Sequence, residues 1–90
     1  MIRLEIDSIM NLPGIEVKIW TENEHDIGKV ASMILDLKKI LDEKELLTST
    51  VSSDSDNHSF SFTVECRSED KMEKIRHLIE RTHKNLEERS

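Results

Sequence analysis

His77, Glu80 and His83 are the residues whose types most suggest chemistry, because two imidazoles and a carboxylate are a common metal-ligand set. Their spacing works against that use. On a helix they spread over about 120°, and the two histidines are six positions apart where a shared ligand face needs three or four. Asp54, Asp56 and Glu65 echo a calcium loop, but Ser59 stands where the sharp turn of such a loop requires glycine. Asp54-Ser55-Asp56-Asn57-His58 therefore reads as a polar turn. Cys66 is the single cysteine; it alternates in phase with Phe60, Phe62 and Val64, which predicts a buried and unreactive thiol. Gly14 and Gly28 are the only glycines, so no glycine-rich phosphate loop is formed. The carboxylates are interleaved with lysines as solvated helix faces, and no pair is set apart for general acid–base work. The expectation is a protein with no catalytic residues, no metal and no cofactor, hence not an enzyme.

A different kind of site is suggested by four apolar residues: Trp20, Met33, Leu35 and Ile40. Ile15, Val17 and Ile19 alternate with Glu16, Lys18 and Trp20, which places the indole on the face where charged neighbours meet water. An aromatic in that position often anchors an interface. Between Ile27 and Leu41 the stripe Val30, Ala31, Ile34, Leu37 and Leu41 has helical spacing. Met33, Leu35 and Ile40 widen it to roughly 220°, more than one sheet face needs. These four are the candidate interface residues.

The elements that position them follow from periodicity. Ile2, Leu4 and Ile6 alternate with Arg3, Glu5 and Asp7 as in a half-buried strand. Asn11-Leu12-Pro13-Gly14 is a turn signal, with Pro presetting φ and Gly accepting positive φ. Thr21 and Glu24 have capping-box spacing, and Asn23 competes as the cap. Leu47–Ser53 is a weak strand suited to an edge. The clearest strand runs from Phe60 to Cys66. Ser68 caps a last helix whose apolar residues Met72, Ile75, Leu78, Ile79 and Leu86 form a one-sided arc.

The order is β-β-α-β-β-α. It predicts an α+β domain over residues 1–90: a four-stranded, mainly antiparallel sheet with two helices on one face, a ferredoxin-like sandwich. Residues 1–45 and 46–90 correspond as two ββα halves, since Glu24, Lys29, Ile34, Lys39 and Leu41 fall on Glu69, Lys74, Ile79, Lys84 and Leu86. Neither half can bury a sheet face alone, so the two should share one core. The architecture resembles ligand-sensing modules of ACT type, which bind small molecules at dimer interfaces. From Ile15 onward, the β-α-β-β-α order is similar to that of the small dimeric subunit of the KEOPS tRNA-modification complex, with Ile75-Arg76 at the matching place in the last helix. The strand at Ile2–Asp7 departs from that pattern, and the rest of the motif around Ile75-Arg76 is absent. This second likeness implies an accessory subunit of an RNA-modifying assembly.

Bulk composition narrows the classes. Apolar and charged residues each make up 36% of the 90 residues, and the net charge is −6. So small and polar a chain is only marginally stabilised by its own core, which favours association. The negative charge opposes direct nucleic-acid binding, which requires a Lys/Arg excess. Phe60 and Phe62 alternate like base-stacking aromatics, but no basic residue interleaves with them and the helices need that face. No stretch approaches the roughly 20 apolar residues of a membrane span. The single cysteine fits a reducing compartment, and the cytoplasm is the expected location. The expected function is a non-enzymatic protein–protein interaction or assembly subunit, an accessory subunit of a larger complex, pairing with itself as a dimer or with a protein partner. The broad arc of the first helix, the face around Trp20 and a free strand edge are the candidate surfaces.

Overall fold

A computed structural model of the chain describes residues 2–9, 13–56 and 58–89. Its strands are β1 (Ile2–Ser8), β2 (Gly14–Thr21), β3 (Ser52–Asp54) and β4 (Ser59–Glu65), with helices α1 (Ile27–Glu43) and α2 (Glu69–Arg89). The fold is α+β. All pairings are antiparallel, and the strand order is β1-β2-β4-β3. The ferredoxin-like comparison is not confirmed, because that arrangement alternates as β-α-β-β-α-β whereas here two strands precede α1.

Alternation decides which side of the sheet is core. Ile15, Val17 and Ile19 of β2 are fully buried, as are Phe62 and Val64 of β4. Val17 pairs with Phe62, and Ile15 with Val64. Val30, Met33, Ile34, Leu37 and Leu41 of α1 complete the same cluster with Ile75 and Ile79 of α2. Residues of both halves thus share one core. Val17 and Phe62 occupy matching positions of the two halves and are direct partners, so the sheet reads alike from either side of that pair. The helices break this balance. α1 lies over β2 and β4, while α2 leans on α1 and on β1, at the margin of the sheet.

Local chemistry sets the helix starts. Asn23 accepts from His25 N (3.0 Å) and caps a 3-10 turn at Glu24–Asp26, after which α1 begins. Thr21 does not cap the helix; its Oγ1 receives Asn23 N at 3.1 Å. Ser68 accepts from Lys71 N at 3.3 Å, the expected cap of α2.

Two sequence expectations need correction. Leu47–Ser53 is not one strand. β3 is only Ser52–Asp54, and the stretch before it meets β4 irregularly, with Thr48 bridged to Val64 and Ser49 Oγ accepting Thr63 N at 2.8 Å. Ser and Thr side chains here compete with the ladder for backbone partners. Gly14 does not adopt positive φ. It is a strand residue in close approach, since a Cβ there would lie 3.0 Å from Val64 O and 3.2 Å from Ile9 Cδ1. The expected turn residues Asn11 and Leu12, the apolar Met10, and Asn57 of the polar loop lie outside the described residues.

Candidate interaction surface

The four candidate interface residues do not form one patch. Trp20 pairs with Arg3 and Ser59 on the sheet face opposite the helices. Met33 is 4% exposed and belongs to the core, so it offers no outer surface. Leu35 is 57% exposed, and Ile40 is half-buried. The helical wheel explains the split. Lys38 and Asp42 occupy one flank of α1, where Asp42 Oδ1 accepts the Thr48 hydroxyl at 2.6 Å, and Thr48 in turn bridges to β4. Met33 and Ile40 lie on the opposite flank, toward α2, against which α1 packs. The wide apolar arc is therefore used largely within the chain. Leu47, at 66% exposed, is a second outward apolar residue that the strand pattern hid, because it lies where strand regularity fails.

The open sheet face is polar. Arg3 places its guanidinium 5.2 Å from the Trp20 ring centroid, a cation–π distance. Glu5 faces Lys18, whereas Asp7 faces Glu16, and like charges directly opposite are unfavourable. A shallow cleft of about 470 Å³ lies along Glu5, Lys18, Trp20, Glu22, Asp56 and His58. Its charges are mixed, with no convergent set of donors.

The sheet margins differ more. At the β3 side the edge is three exposed residues, the short form that resists pairing. At the β1 side it is seven residues long. Ile9 N donates to Gly14 O at 3.0 Å, continuing the β1–β2 ladder. In an antiparallel ladder hydrogen-bonded pairs alternate, so Asp7, Glu5 and Arg3 also turn their backbone groups toward β2. Those of Ile2, Leu4, Ile6 and Ser8 point off the sheet, and no described strand lies beyond them. Leu4 and Ile6 are half-buried beneath this margin. Beside it, an open cleft of about 590 Å³ runs between Ser8, Ile9 and Pro13 and the α2 residues Glu69, Met72, Glu73 and Arg76.

The residues first considered for chemistry are dispersed. His77 lies 4.0 Å from Glu73 with both side chains exposed, while His83 lies 3.0 Å from Glu87 on the same helix. His83 Nε2 is buried and out of line for a hydrogen bond with that carboxylate. Burial pushes the His83 imidazole below its ordinary pKa, and the nearby Glu87 charge only partly opposes this. Among the described residues, no three His, Cys, Asp or Glu side chains are grouped to hold a metal ion. Cys66 is 1% exposed, and burial raises its thiol pKa, which disfavours the reactive thiolate. No described helix is long and apolar enough to cross a membrane. Compared with protein-family models, with curated proteins and with solved structures, the chain matches none.

Proposed function

We propose that this chain is a non-enzymatic interaction subunit that acts by assembling with protein. The observation that carries the reading is the β1 margin. Along the seven-residue β1 edge, Ile2, Leu4, Ile6 and Ser8 turn their backbone donors and acceptors away from the sheet with no described strand beyond them, and such an edge is a template for another strand. Self-association belongs to the same reading, with Leu35 and Leu47 as its exposed large apolar side chains. An accessory place in an RNA-modifying complex is compatible with the β-α-β-β-α order from β2 onward. In such a complex, the acidic chain would contact protein and leave nucleic acid to basic subunits.

Tagged chain purified from its native cells after mild crosslinking tests this. A stoichiometric assembly, with itself or with another protein, is expected. Recovery of free monomer alone refutes the reading. Sedimentation of the pure chain over a hundredfold concentration range then separates self-association from a heteromeric assembly.

A further inference from the structure

We infer that the slot between the β1 edge and α2 receives an extended, basic segment of a different protein, added to the sheet as a fifth strand. The inference rests on the interaction-subunit reading and identifies the kind of partner. Three observations select the occupant.

The first is backbone geometry. Ile2, Leu4, Ile6 and Ser8 point their N–H and C=O groups outward at regular strand spacing. An added strand would satisfy them as it satisfies any sheet edge.

The second is the position of α2, which packs on β1 at the sheet margin and on α1 behind it. Met72, Arg76 and His83 share the flank of α2 that faces the cleft, as helical spacing requires and as the cleft lining shows for the first two. Alternate side chains of an added strand would lie against that flank. Arg76 Nε is buried there without a hydrogen-bond partner among the described residues. A second copy of this chain is a poor occupant. Antiparallel β1–β1 pairing keeps both sets of helices on one face and sets neighbouring strands only about 4.8 Å apart. Two α2 helices above adjacent strands would then fall short of the roughly 8–10 Å that packed helices require. A segment with no helix of its own avoids the collision.

The third is charge. Glu69 and Glu73 line the cleft, and Glu80 and Glu87 follow Glu73 at seven-residue spacing along the same side of α2. On the open face of the sheet, away from α2, Glu5 and Asp7 project from β1, with Arg3 only at its far end. Lysine or arginine at the alternate positions that point to the open face would lie beside Glu5 and Asp7, and the acidic side of α2 attracts the same positive charge at longer range. The apolar residues between them point to the helix side, toward Leu4, Ile6 and Met72.

The test uses the intact chain and a capped nine-residue peptide of alternating lysine and valine, followed by Trp20 fluorescence and by amide exchange at Ile2, Leu4 and Ile6. Two control peptides share its length: one carries glutamate for lysine, and one is N-methylated at alternate backbone nitrogens with its charge unchanged. The lysine peptide should bind and slow exchange at those three amides. The N-methylated form should bind at least tenfold more weakly, and the glutamate form should not bind. Leu4→Pro removes an outward N–H that β2 does not use, a substitution edge strands accept, and should abolish binding while the β1–β2 ladder persists. If Leu4→Pro unfolds, Ile6→Pro replaces it, and the N-methylated peptide makes the same comparison on the unaltered chain. Equal binding of the methylated peptide would mean charge attraction alone and overturn the slot. So would a native assembly that Leu4→Pro leaves intact, although the interaction-subunit reading would survive. A wild-type dimer dissociated by Leu4→Pro would assign the edge to a second copy and refute the heteromeric occupant.

Discussion

Met33 and Leu35 are two positions apart on α1, yet truncating them should have very different consequences. Met33 is 4% exposed within the cluster formed by α1, α2 and the sheet, whereas Leu35 is 57% exposed. Met33→Ala removes a buried side chain from a packed site and leaves a cavity, which costs about 2–5 kcal/mol. A domain of this length has roughly 5–13 kcal/mol of total stability. The loss is therefore a large fraction of it, equivalent to about 10–25 °C in melting temperature. Leu35→Ala gives up less than half of a leucine burial, and alanine is the better helix former, so the net change stays within about 1 kcal/mol. Ile40→Ala, at a half-buried position, should fall between them. Urea unfolding followed by far-UV circular dichroism, at the lowest workable concentration, gives all three values without contributions from association. If Leu35→Ala costs as much as Met33→Ala, the assignment of the Met33 flank to the intramolecular core is wrong, and the wide arc of α1 must be explained by a partner.

Other expectations follow from single contacts. Native Cys66 should react with a thiol reagent far more slowly than the urea-unfolded chain, and Cys66→Ala should cost about 1–2 kcal/mol; labelling at the unfolded rate would contradict the burial. His83 has a folded-state pKa below its unfolded value, so the unfolded chain binds more protons between the two. Stability is full above pH ~6.5, the unfolded value, and falls as pH drops below it toward the lowered folded value. His83→Gln should flatten this part of a pH–stability profile. Asp42 is shifted down by the Thr48 hydroxyl and then Lys38, so the stability it adds is present above its ordinary carboxylate range and is lost at lower pH than the His83 effect. In Thr48→Val that acid limb should begin at higher pH. Gly14→Ala drives a Cβ to 3.0 Å from Val64 O, a backbone atom of β4, and should destabilise by about 1–3 kcal/mol in thermal melts.

Much of the architecture is written in local periodicity. The alternations at Ile2–Ile6, Ile15–Ile19 and Phe60–Cys66 foretell three strands and their buried faces, because side chains on a strand point to opposite sides in turn. The Asn23 and Ser68 caps and the two helical stripes are similarly local, and so is the burial of Cys66. Dispersal of the histidines could also be read from spacing alone. The weak strand expected over Leu47–Ser53 is a short edge strand, as its composition suggests, but its bounds are not legible, because the Ser49 hydroxyl competes with the ladder for Thr63 N and a residue-type pattern carries no trace of that. The Pro13-Gly14 pair suggests a conformational role for Gly14, whereas its constraint is the nearness of β4, a contact from a strand about fifty positions onward. The width of the α1 arc was visible, but its meaning was not. An apolar residue outside the sheet-facing stripe reads the same whether it meets a partner or a second helix, and only the packing of α2 against α1 separates buried Met33 from exposed Leu35. Strand order was equally hidden, since hydrogen-bonding between strands leaves no mark on side-chain identity. That order made β1 a seven-residue margin beside α2, and the candidate surface exists because of it.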